Sequence, residues 1–364
     1  MKKSLKILLA IIILLLICVL VFNSKKQGKD EKQEYGEKNV FNSNNEIKTA
    51  LTLNDKIQND TIWCGTFQLL WNDLKNNLAK QNIEFNPQKQ VVKNLNEETF
   101  TINDISDKYY YKKIGVPTIQ LKQEIENAIK EKFNETSNIL DNFEWDKKSE
   151  KDYFLYAMLK KEFSFEKEFE DLEKGSFGSY EKVNYFGIRK NNDNDKLREQ
   201  VEVLYYNNKD NFAIKIKTKQ EDEVMLCKNP KGNTFNEMYQ NINQEKNNYS
   251  GSKVLEEKEI LKVPNIKVNQ KTEFEEIENE PFLFENGDRY LIEKALQTIQ
   301  FDLDKKGGKI KSEAGMMLKQ TSMAPSEKIR NFIVDDTFCI FLKEKDKELP
   351  YFAAEISDIS KIQK

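Results

Sequence analysis

Nucleophiles and proton carriers of the common hydrolases are scarce in this chain, which has 364 residues and no histidine. Without imidazole there is no Ser-His-Asp or Cys-His nucleophile, no His-ligated zinc and no histidine proton shuttle. Ser-x-x-Lys occurs by chance in a lysine-rich chain, for example at Ser164/Lys167 and Ser250/Lys253, but the Lys-Thr-Gly sequence of penicillin-recognising enzymes is absent. The sequence also lacks a Gly-x-x-x-x-Gly-Lys phosphate loop and a Gly-x-Ser-x-Gly nucleophile motif. We therefore expect no catalytic residues, no metal site and no cofactor.

Carboxylates offer the one remaining route to an enzyme. Neighbouring acids occur at Glu256/Glu257 and Glu275/Glu276, and could form the acid-base pair of a glycosidase or a protease. The chain has 61 acidic residues, however, and acids this frequent usually lie on a solvated surface. An enzyme remains a third alternative, which would require carboxylates that converge in a pocket.

The four cysteines do not form a recognisable site. Cys18 lies in an apolar N-terminal segment, whereas Cys64, Cys227 and Cys339 are widely separated. There is no Cys-x-x-Cys, so a zinc ribbon or a thioredoxin-type site is excluded. The three cysteines outside the N-terminal segment are an odd number and cannot all pair with one another. Each thiol is predicted to be a small buried hydrophobe.

The most informative segment runs from Gln297 to Ser326. A strand with Ile299, Phe301 and Leu303 on one face leads to a turn that ends in Gly307 and Gly308. Beyond the turn, the residues of one parity are mostly small or apolar: Ile310, Ser312, Ala314, Met316, Leu318, Gln320, Ser322 and Ala324. The other parity is mostly charged or polar, and the segment ends in Thr321 to Ser326, which are typical of an exposed loop. A long β-hairpin is the simplest interpretation.

Helices are predicted early in the chain and strands later. Apolar residues at three- and four-residue spacing predict a helix near residues 66–80, and a second stripe runs through Leu121, Ile125, Ile129 and Phe133. After about residue 150 the apolar period changes toward two and predicts strands, as in Val201 to Tyr205, Val263 to Val268 and Phe338 to Leu342. The pattern predicts an α+β fold with helices packed on mostly antiparallel sheets.

The N-terminus predicts export. Three lysines precede an apolar run over residues 7–22, which is about 24 Å of helix and carries no clear cleavage site. We expect residues 1–22 to be an uncleaved signal anchor, with a lipid anchor as the second possibility. Residues 23–60 are polar and predict a tether, and residues 61–364 predict one folded domain. The protein would thus be exported and anchored in the cell membrane facing outside, or secreted if the signal is cleaved.

Charge argues against a nucleic-acid partner. The net charge is -3, and both signs are spread along the chain. Such a chain has no long-range field to hold a polyanion. The 23 Phe and 14 Tyr nevertheless supply ample apolar area for a core.

From about Phe154 to the C-terminus the order of landmarks resembles that of the serpins. Phe154 to Phe169 resembles the third strand of the family's large central sheet and the turn that follows it. Val263-Pro264 resembles a Val-Pro segment of the second sheet, and Asp304 to Gly307 followed by Ser312-Glu313-Ala314 resembles the family's hinge. The chain departs from the pattern in a shortened N-terminal half and in extra hinge residues, Gly308 to Lys311. It also has Ala157 where the family has an asparagine and Gln297 where the family has a histidine.

The resemblance implies a serine-protease inhibitor with an exposed reactive loop, and a serine protease as its partner. A protease would cut the loop, which would then enter the central sheet as an added strand beside the Phe154 and Ile299 strands. The implied hinge comprises Gly307, Gly308, Ser312, Glu313 and Ala314. The implied scissile region comprises Lys319, Gln320, Thr321, Ser322, Met323, Ala324 and Pro325. Lys319 suits a trypsin-like enzyme, and Met323 an elastase- or subtilisin-like one. The alternative is a non-inhibitory surface protein, binding or structural, with the same fold.

Overall fold

The computed structural model describes residues 47–58, 60–146, 149–190, 195–312 and 329–362. The predicted anchor at residues 1–22 and the loop at residues 313–328 lie outside these ranges. No helix within the described ranges is long and apolar enough to cross a membrane. The α-helices are α1 (Thr66–Asp73), α2 (Gln90–Asn96), α3 (Ile119–Phe133), α4 (Asp195–Glu199) and α5 (Phe235–Asn248), and a π-helical turn, Leu74–Ala79, continues α1.

Strands dominate the later part of the chain, as the change of apolar period predicted. They are β1 (Lys48–Ala50), β2 (Thr61–Cys64), β3 (Tyr110–Gly115), β4 (Phe154–Ser164), β5 (Glu170–Phe177), β6 (Tyr180–Ile188), β7 (Val201–Asn208), β8 (Asn211–Lys217), β9 (Asp222–Lys228), β10 (Ile260–Pro264), β11 (Ile266–Glu273), β12 (Pro281–Leu283), β13 (Arg289–Leu291), β14 (Leu296–Asp304), β15 (Gly307–Ser312), β16 (Asn331–Ile333), β17 (Phe338–Glu344) and β18 (Phe352–Ile356).

These strands form three main sheets and one small hairpin. The five-stranded sheet has the order β11-β14-β15-β4-β3, and every neighbouring pair in it is antiparallel. The seven-stranded sheet has the order β1-β2-β18-β17-β9-β8-β7, in which only the β1–β2 pair is parallel. The four-stranded sheet has the order β16-β10-β6-β5, and β12 pairs with β13 alone. The predicted α+β class with mostly antiparallel sheets is confirmed.

The main core lies between the five- and seven-stranded sheets. The rings of Phe301 on β14 and Phe352 on β18 meet there with centroids 4.6 Å apart. We call the face of the five-stranded sheet that contributes Phe301 its inner face. Its alternating apolar residues bury themselves against the second sheet because successive side chains point to opposite faces of a strand.

Helix α3 covers the other face of the five-stranded sheet, which we call the outer face. The predicted stripe of Leu121, Ile125 and Ile129 is buried in one cluster with Tyr156 and Met158 of β4. The Thr118 hydroxyl accepts a hydrogen bond from the backbone N–H of Leu121 at 3.1 Å and so caps the first turn. The helix ends at Asn134, whose left-handed backbone (φ 52°) turns the chain across the sheet.

The folded body begins before the predicted boundary at residue 61. Strand β1 pairs with β2 at the edge of the seven-stranded sheet, and Ile47, Leu51 and Leu53 beside it are buried. A strand of three residues is too short to show an alternation that could be recognised in the sequence. Pairing with β2 stabilises the extended conformation of β1, which the local sequence alone does not specify.

Candidate functional site

The first residues of the segment singled out in the sequence form an inserted strand. Strand β15 lies between β14 and β4, and is antiparallel to both. Gly307 pairs with Asp304 and Ser164 at one end, and Ser312 pairs with Ile299 and Leu159 at the other. The two longest strands of the sheet are thus already separated along six residue pairs.

Two glycines permit this close approach. Gly307 has a φ of 144°, and a Cβ there would lie 2.2 Å from the carbonyl oxygen of Phe163. A Cβ on Gly308 would lie 2.5 Å from the Phe163 ring and 2.8 Å from the carbonyl oxygen of Asp302. Any other residue would push β15 away from one of its neighbours. The two predicted hinge glycines therefore belong to the strand, and the turn itself is formed by Lys305 and Lys306.

The alternation predicted for β15 is confirmed for its described residues. Ile310 and Ser312 are fully buried, and Ile310 lies beside Phe301 on the inner face. Lys309 and Lys311 belong to the opposite parity and lie on the outer face. A strand with apolar residues on one side and lysines on the other can enter the sheet in one orientation only.

One carboxylate on the outer face gathers three lysines. Glu135, just beyond α3, contacts Lys160 on β4 and Lys309 and Lys311 on β15, with N–O distances of 3.1, 3.6 and 3.0 Å. The Lys311 ammonium also donates to the carbonyl oxygen of Thr136 at 3.1 Å. Partial burial acts to raise the pKa of Glu135, but the ammonium groups of Lys311 and Lys160 bring it below its usual range. This cluster, the Glu135 clamp, ties β15 to the end of α3.

Hydrogen bonds on the inner face hold the last described residue of β15. The Thr66 hydroxyl at the start of α1 donates to Ser312 Oγ at 3.1 Å. Gln297 Nε2 donates to Ser312 Oγ at 3.5 Å and to the carbonyl oxygen of Cys64 at 3.4 Å. Gln297 Oε1 is buried and has no hydrogen-bond partner among the described residues. Ser312 is therefore fixed at the edge of an unsatisfied polar site.

A cavity of about 850 Å³ opens beyond Ser312, lined in part by β4 and β14. Phe154 to Met158 of β4 and Leu296 to Thr298 of β14 extend past Ser312, and no strand of the described ranges lies between them. We call this gap the strand slot. The residues of α1 and of the π-helical turn that line the slot are mainly apolar: Phe67, Leu70, Trp71, Leu74 and Leu78. Strand β15 thus separates β4 and β14 as far as Ser312, and beyond Ser312 the same two strands line the strand slot.

A buried ion cluster joins the two large sheets beside β15. The Lys161 ammonium lies 2.7 Å from Asp222 Oδ1 and 2.7 Å from Glu344 Oε1, and 3.8 Å from the centroid of the Tyr109 ring. Burial raises the pKa of Asp222 to about 6 even though Lys161 opposes it. Burial opposes the shift of Glu344, but its hydrogen bonds from Lys161 and Ser106 lower the pKa. Lys161 pairs in register with Ile310, so this cluster fixes the strand against which β15 is inserted.

The remaining candidate groups do not form a catalytic site within the described ranges. Glu256, Glu257, Glu275 and Glu276 are exposed. No group of three or more cysteine or carboxylate side chains there could hold a metal ion. Of the predicted hinge, the structure places Gly307, Gly308 and Ser312 in β15, while Glu313 and Ala314 lie outside the described residues. The whole predicted scissile region, Lys319 to Pro325, also lies outside them.

Comparisons with known proteins give similarity of structure only. No protein-family model matches the chain. No curated protein matches it either. Several solved structures similar to this chain are serpins.

Three of these serpin structures have 11–13% sequence identity to the chain. Tengpin, a thermophilic serpin in the latent state, is 12% identical, with 85% of this chain and 95% of that chain covered and a TM-score of 0.45. Serpin48 of the insect Tenebrio molitor is 11% identical, with 69% and 75% covered and a TM-score of 0.39. Cleaved Serpin 42Da is 13% identical, with 65% and 64% covered and a TM-score of 0.43. This chain thus spans less than two thirds of the cleaved Serpin 42Da chain. The serpins are also the family that the sequence motifs suggested.

Proposed function

We propose that the protein is an extracytoplasmic, serpin-like inhibitor of a serine protease, and that residues 313–328 provide the loop that the protease cuts. The observation that supports this proposal most directly is the strand slot. The same two strands accept β15 as far as Ser312 and then enclose a cavity. A strand that continued beyond Ser312 would fill it.

The register of β15 with β4 and β14 predicts which residues of the loop would occupy the strand slot. Continued by one pair at a time, it would place residue 314 opposite Ala157 and Gln297, and residue 316 opposite Leu155 and Ala295. The sequence supplies Ala314 and Met316 there, which are small or apolar and have the inner parity. Burial of such side chains stabilises a strand by about 25 cal/mol per Å² of apolar surface, so completion of the strand would be favourable by several kcal/mol.

Insertion would act on an acyl-enzyme. The serine hydroxyl of the protease would attack a carbonyl carbon between Lys319 and Pro325, the peptide C–N bond would break, and the amine would leave with the serine's proton. The ester would then hold the protease on the new C-terminal end of the loop. If the strand completes faster than water hydrolyses the ester, the protease is carried along the sheet and distorted.

The test is cleavage by trypsin-, elastase- and subtilisin-type proteases, followed by denaturing electrophoresis and a thermal melt. We expect a detergent-stable complex with at least one class, and a higher Tm for the cleaved chain. Ala314→Arg should be cut as readily but should form no complex and gain no stability, because a charged side chain would have to enter the core beside Ala157. Lys319→Arg is the matched control, and should behave like wild type in the trypsin arm.

A non-inhibitory binding protein with the same fold is the second candidate. It is favoured by the extent of β15 that is already paired, since six residue pairs and the Glu135 clamp are in place before any cleavage. The energy left for insertion is correspondingly smaller. Cleavage by all three protease classes without a complex and without a rise in Tm would support this candidate and refute the inhibitor.

We also propose that residues 1–22 anchor the chain in a membrane, with the domain outside. The support is the apolar run over residues 7–22 with lysines before it. Deletion of residues 1–22 is expected to move the protein from the membrane fraction to the soluble fraction. Recovery of the full-length chain in the soluble fraction with its N-terminus intact would contradict an anchor.

A further inference from the structure

Two of the three cysteines in the described ranges lie directly opposite each other in the seven-stranded sheet. Cys227 on β9 pairs in register with Cys339 on β17, and these strands are antiparallel. Both side chains are buried, with relative exposures of 1% and 0%. Nothing in the proposed inhibitory mechanism uses either thiol.

The register satisfies the distance requirement of a disulfide. Residues directly opposite each other on antiparallel strands have Cα atoms about 4.5 or 5.5 Å apart and side chains on the same face. Disulfides span Cα–Cα distances of about 4.4–6.8 Å, so the strands need not move apart or together for a bond to form. The Tyr205 hydroxyl lies 3.1 Å from Cys227 Sγ and can still donate to that sulfur after it has lost its hydrogen.

The third described cysteine has a different environment. Cys64 lies on β2, where its register partner is Phe352 of β18, and its sulfur accepts a hydrogen bond from the Thr66 hydroxyl at 3.4 Å. Strand β18 separates β2 from β17. Among the described cysteines, the register therefore allows one pairing.

We propose that Cys227 and Cys339 form a disulfide during folding. The oxidant would be a disulfide-bearing molecule, either a small disulfide or a protein that carries an exposed disulfide. One cysteine thiolate attacks a sulfur of the oxidant's disulfide, which releases the first thiol, and the second cysteine then attacks the mixed disulfide, which releases the second thiol. Two cysteine thiols become one disulfide, and the oxidant's disulfide becomes two thiols. This inference does not depend on the inhibitory function.

Burial determines when the exchange can occur. Both side chains are buried, and burial and contact with the Cys227 thiol raise the pKa of Cys339 well above its usual range. A folded, reduced chain would therefore offer neither thiol readily to an oxidant. The bond must form while β9 and β17 are still accessible. Once formed, it would be equally shielded from reductants, and the redox state set during folding would persist.

The bond would enclose the chain between residues 227 and 339, which includes β10 to β16 and therefore the strands β11, β14 and β15. It would join β17, the central strand of the seven-stranded sheet, to its neighbour β9 and leave the five-stranded sheet free to rearrange. A closed loop of this length strongly restricts the unfolded chain, because the entropy lost on cross-linking grows with loop length.

The experiment uses the full-length chain, refolded with a mixture of reduced and oxidised glutathione and then denatured in an alkylating reagent without reductant. Peptide mass spectrometry should find the Cys227 and Cys339 peptides linked and Cys64 alkylated, which makes Cys64 the internal control. Native protein should keep the link in dithiothreitol, whereas denatured protein should lose it. Alkylation of both Cys227 and Cys339, or a link of either one to Cys64 or Cys18, would overturn the proposal.

Thermal melts test the effect of the bond separately. The Cys227→Ala/Cys339→Ala variant should melt about 5–10 °C below the oxidised wild type. Since the substitutions also remove buried sulfur atoms, the comparison is repeated against wild type refolded with reductant only. Most of the difference should disappear in that comparison. A difference of the same size in both comparisons would show that the bond contributes nothing and would refute its stabilising role.

Discussion

Replacement of Glu135 by glutamine is the sharpest test of how β15 is held. The side chain is nearly isosteric, but the change removes the carboxylate that faces Lys160, Lys309 and Lys311. Removing one partner of a fully buried ion pair costs about 3–5 kcal/mol, and exposed pairs contribute about 0–1 kcal/mol. Glu135 and Lys311 are 16% and 5% exposed, whereas Lys309 is 45% exposed. We therefore expect a loss of about 2 kcal/mol, or roughly 30-fold in the equilibrium between paired and unpaired β15.

Hydrogen exchange of the backbone amides in β15 measures this loss where it occurs. In Glu135→Gln the amides of residues 309–312 should exchange about 30-fold faster, while those of β9 and β17 stay unchanged. Because the clamp lowers the pKa of Glu135, its stabilising effect in wild type is present above the unfolded value and fades as the pH falls through the folded value. Glu162→Gln is the control, because it removes a mostly exposed carboxylate that contacts Lys309 and Lys160 and leaves Glu135 in place. Equal exchange rates in wild type and Glu135→Gln would refute the clamp.

Three further predictions concern residues of the five- and seven-stranded sheets. Lys161→Met should destabilise the fold by about 3–5 kcal/mol at pH 8 and by less at pH 5, because Asp222, whose pKa is raised to about 6, can protonate there. An equal loss at both pH values in denaturant titrations would contradict this. Burial, together with the nearby Asp60 carboxylate, raises the pKa of Glu355 to about 9. Because the folded state then binds a proton more tightly, wild type should lose about 4 kcal/mol of stability between pH 5 and pH 8, and Glu355→Gln should lack this slope. Gly307→Ala should lower the Tm more than Gly178→Ala, because a Cβ at Gly178 would have no atom within 4 Å. Equal Tm values for the two variants would contradict the close approach of β15 to its neighbours.

Much of the fold follows from apolar periodicity. The stripe from Leu121 to Phe133 predicts α3, and the alternation around Ile299 and Phe301 predicts β14. One expected strand, Val263 to Val268, is instead two strands in different sheets, with a break at Asn265. Alternation does not reveal such a change of sheet, because each half keeps a period of two on its own.

The site could be predicted only in part. The parity of Ile310, Ser312 and Lys311 follows from the sequence, but the same parity serves a free hairpin and an inserted strand equally well. Glu135 is one of 61 acids and meets Lys311 across 176 positions, so no local pattern marks it. The pairing of Cys227 with Cys339 likewise depends on register between strands that lie far apart along the chain.

The length of β4 limits how far a molecule attached to the loop could be moved by insertion of the loop into the sheet. Five residues of β4, from Phe154 to Met158, extend past the position paired with Ser312, and at about 3.4 Å per residue they span about 17 Å. A chain advancing from Ser312 would run out of sheet near residue 317. A protease attached at Lys319 would stop close to the end of the sheet, whereas one attached at Pro325 would be separated from it by six more residues of uninserted linker. The position of the cleaved bond would thereby decide whether the attached protease is held in contact with the domain or remains on a flexible linker.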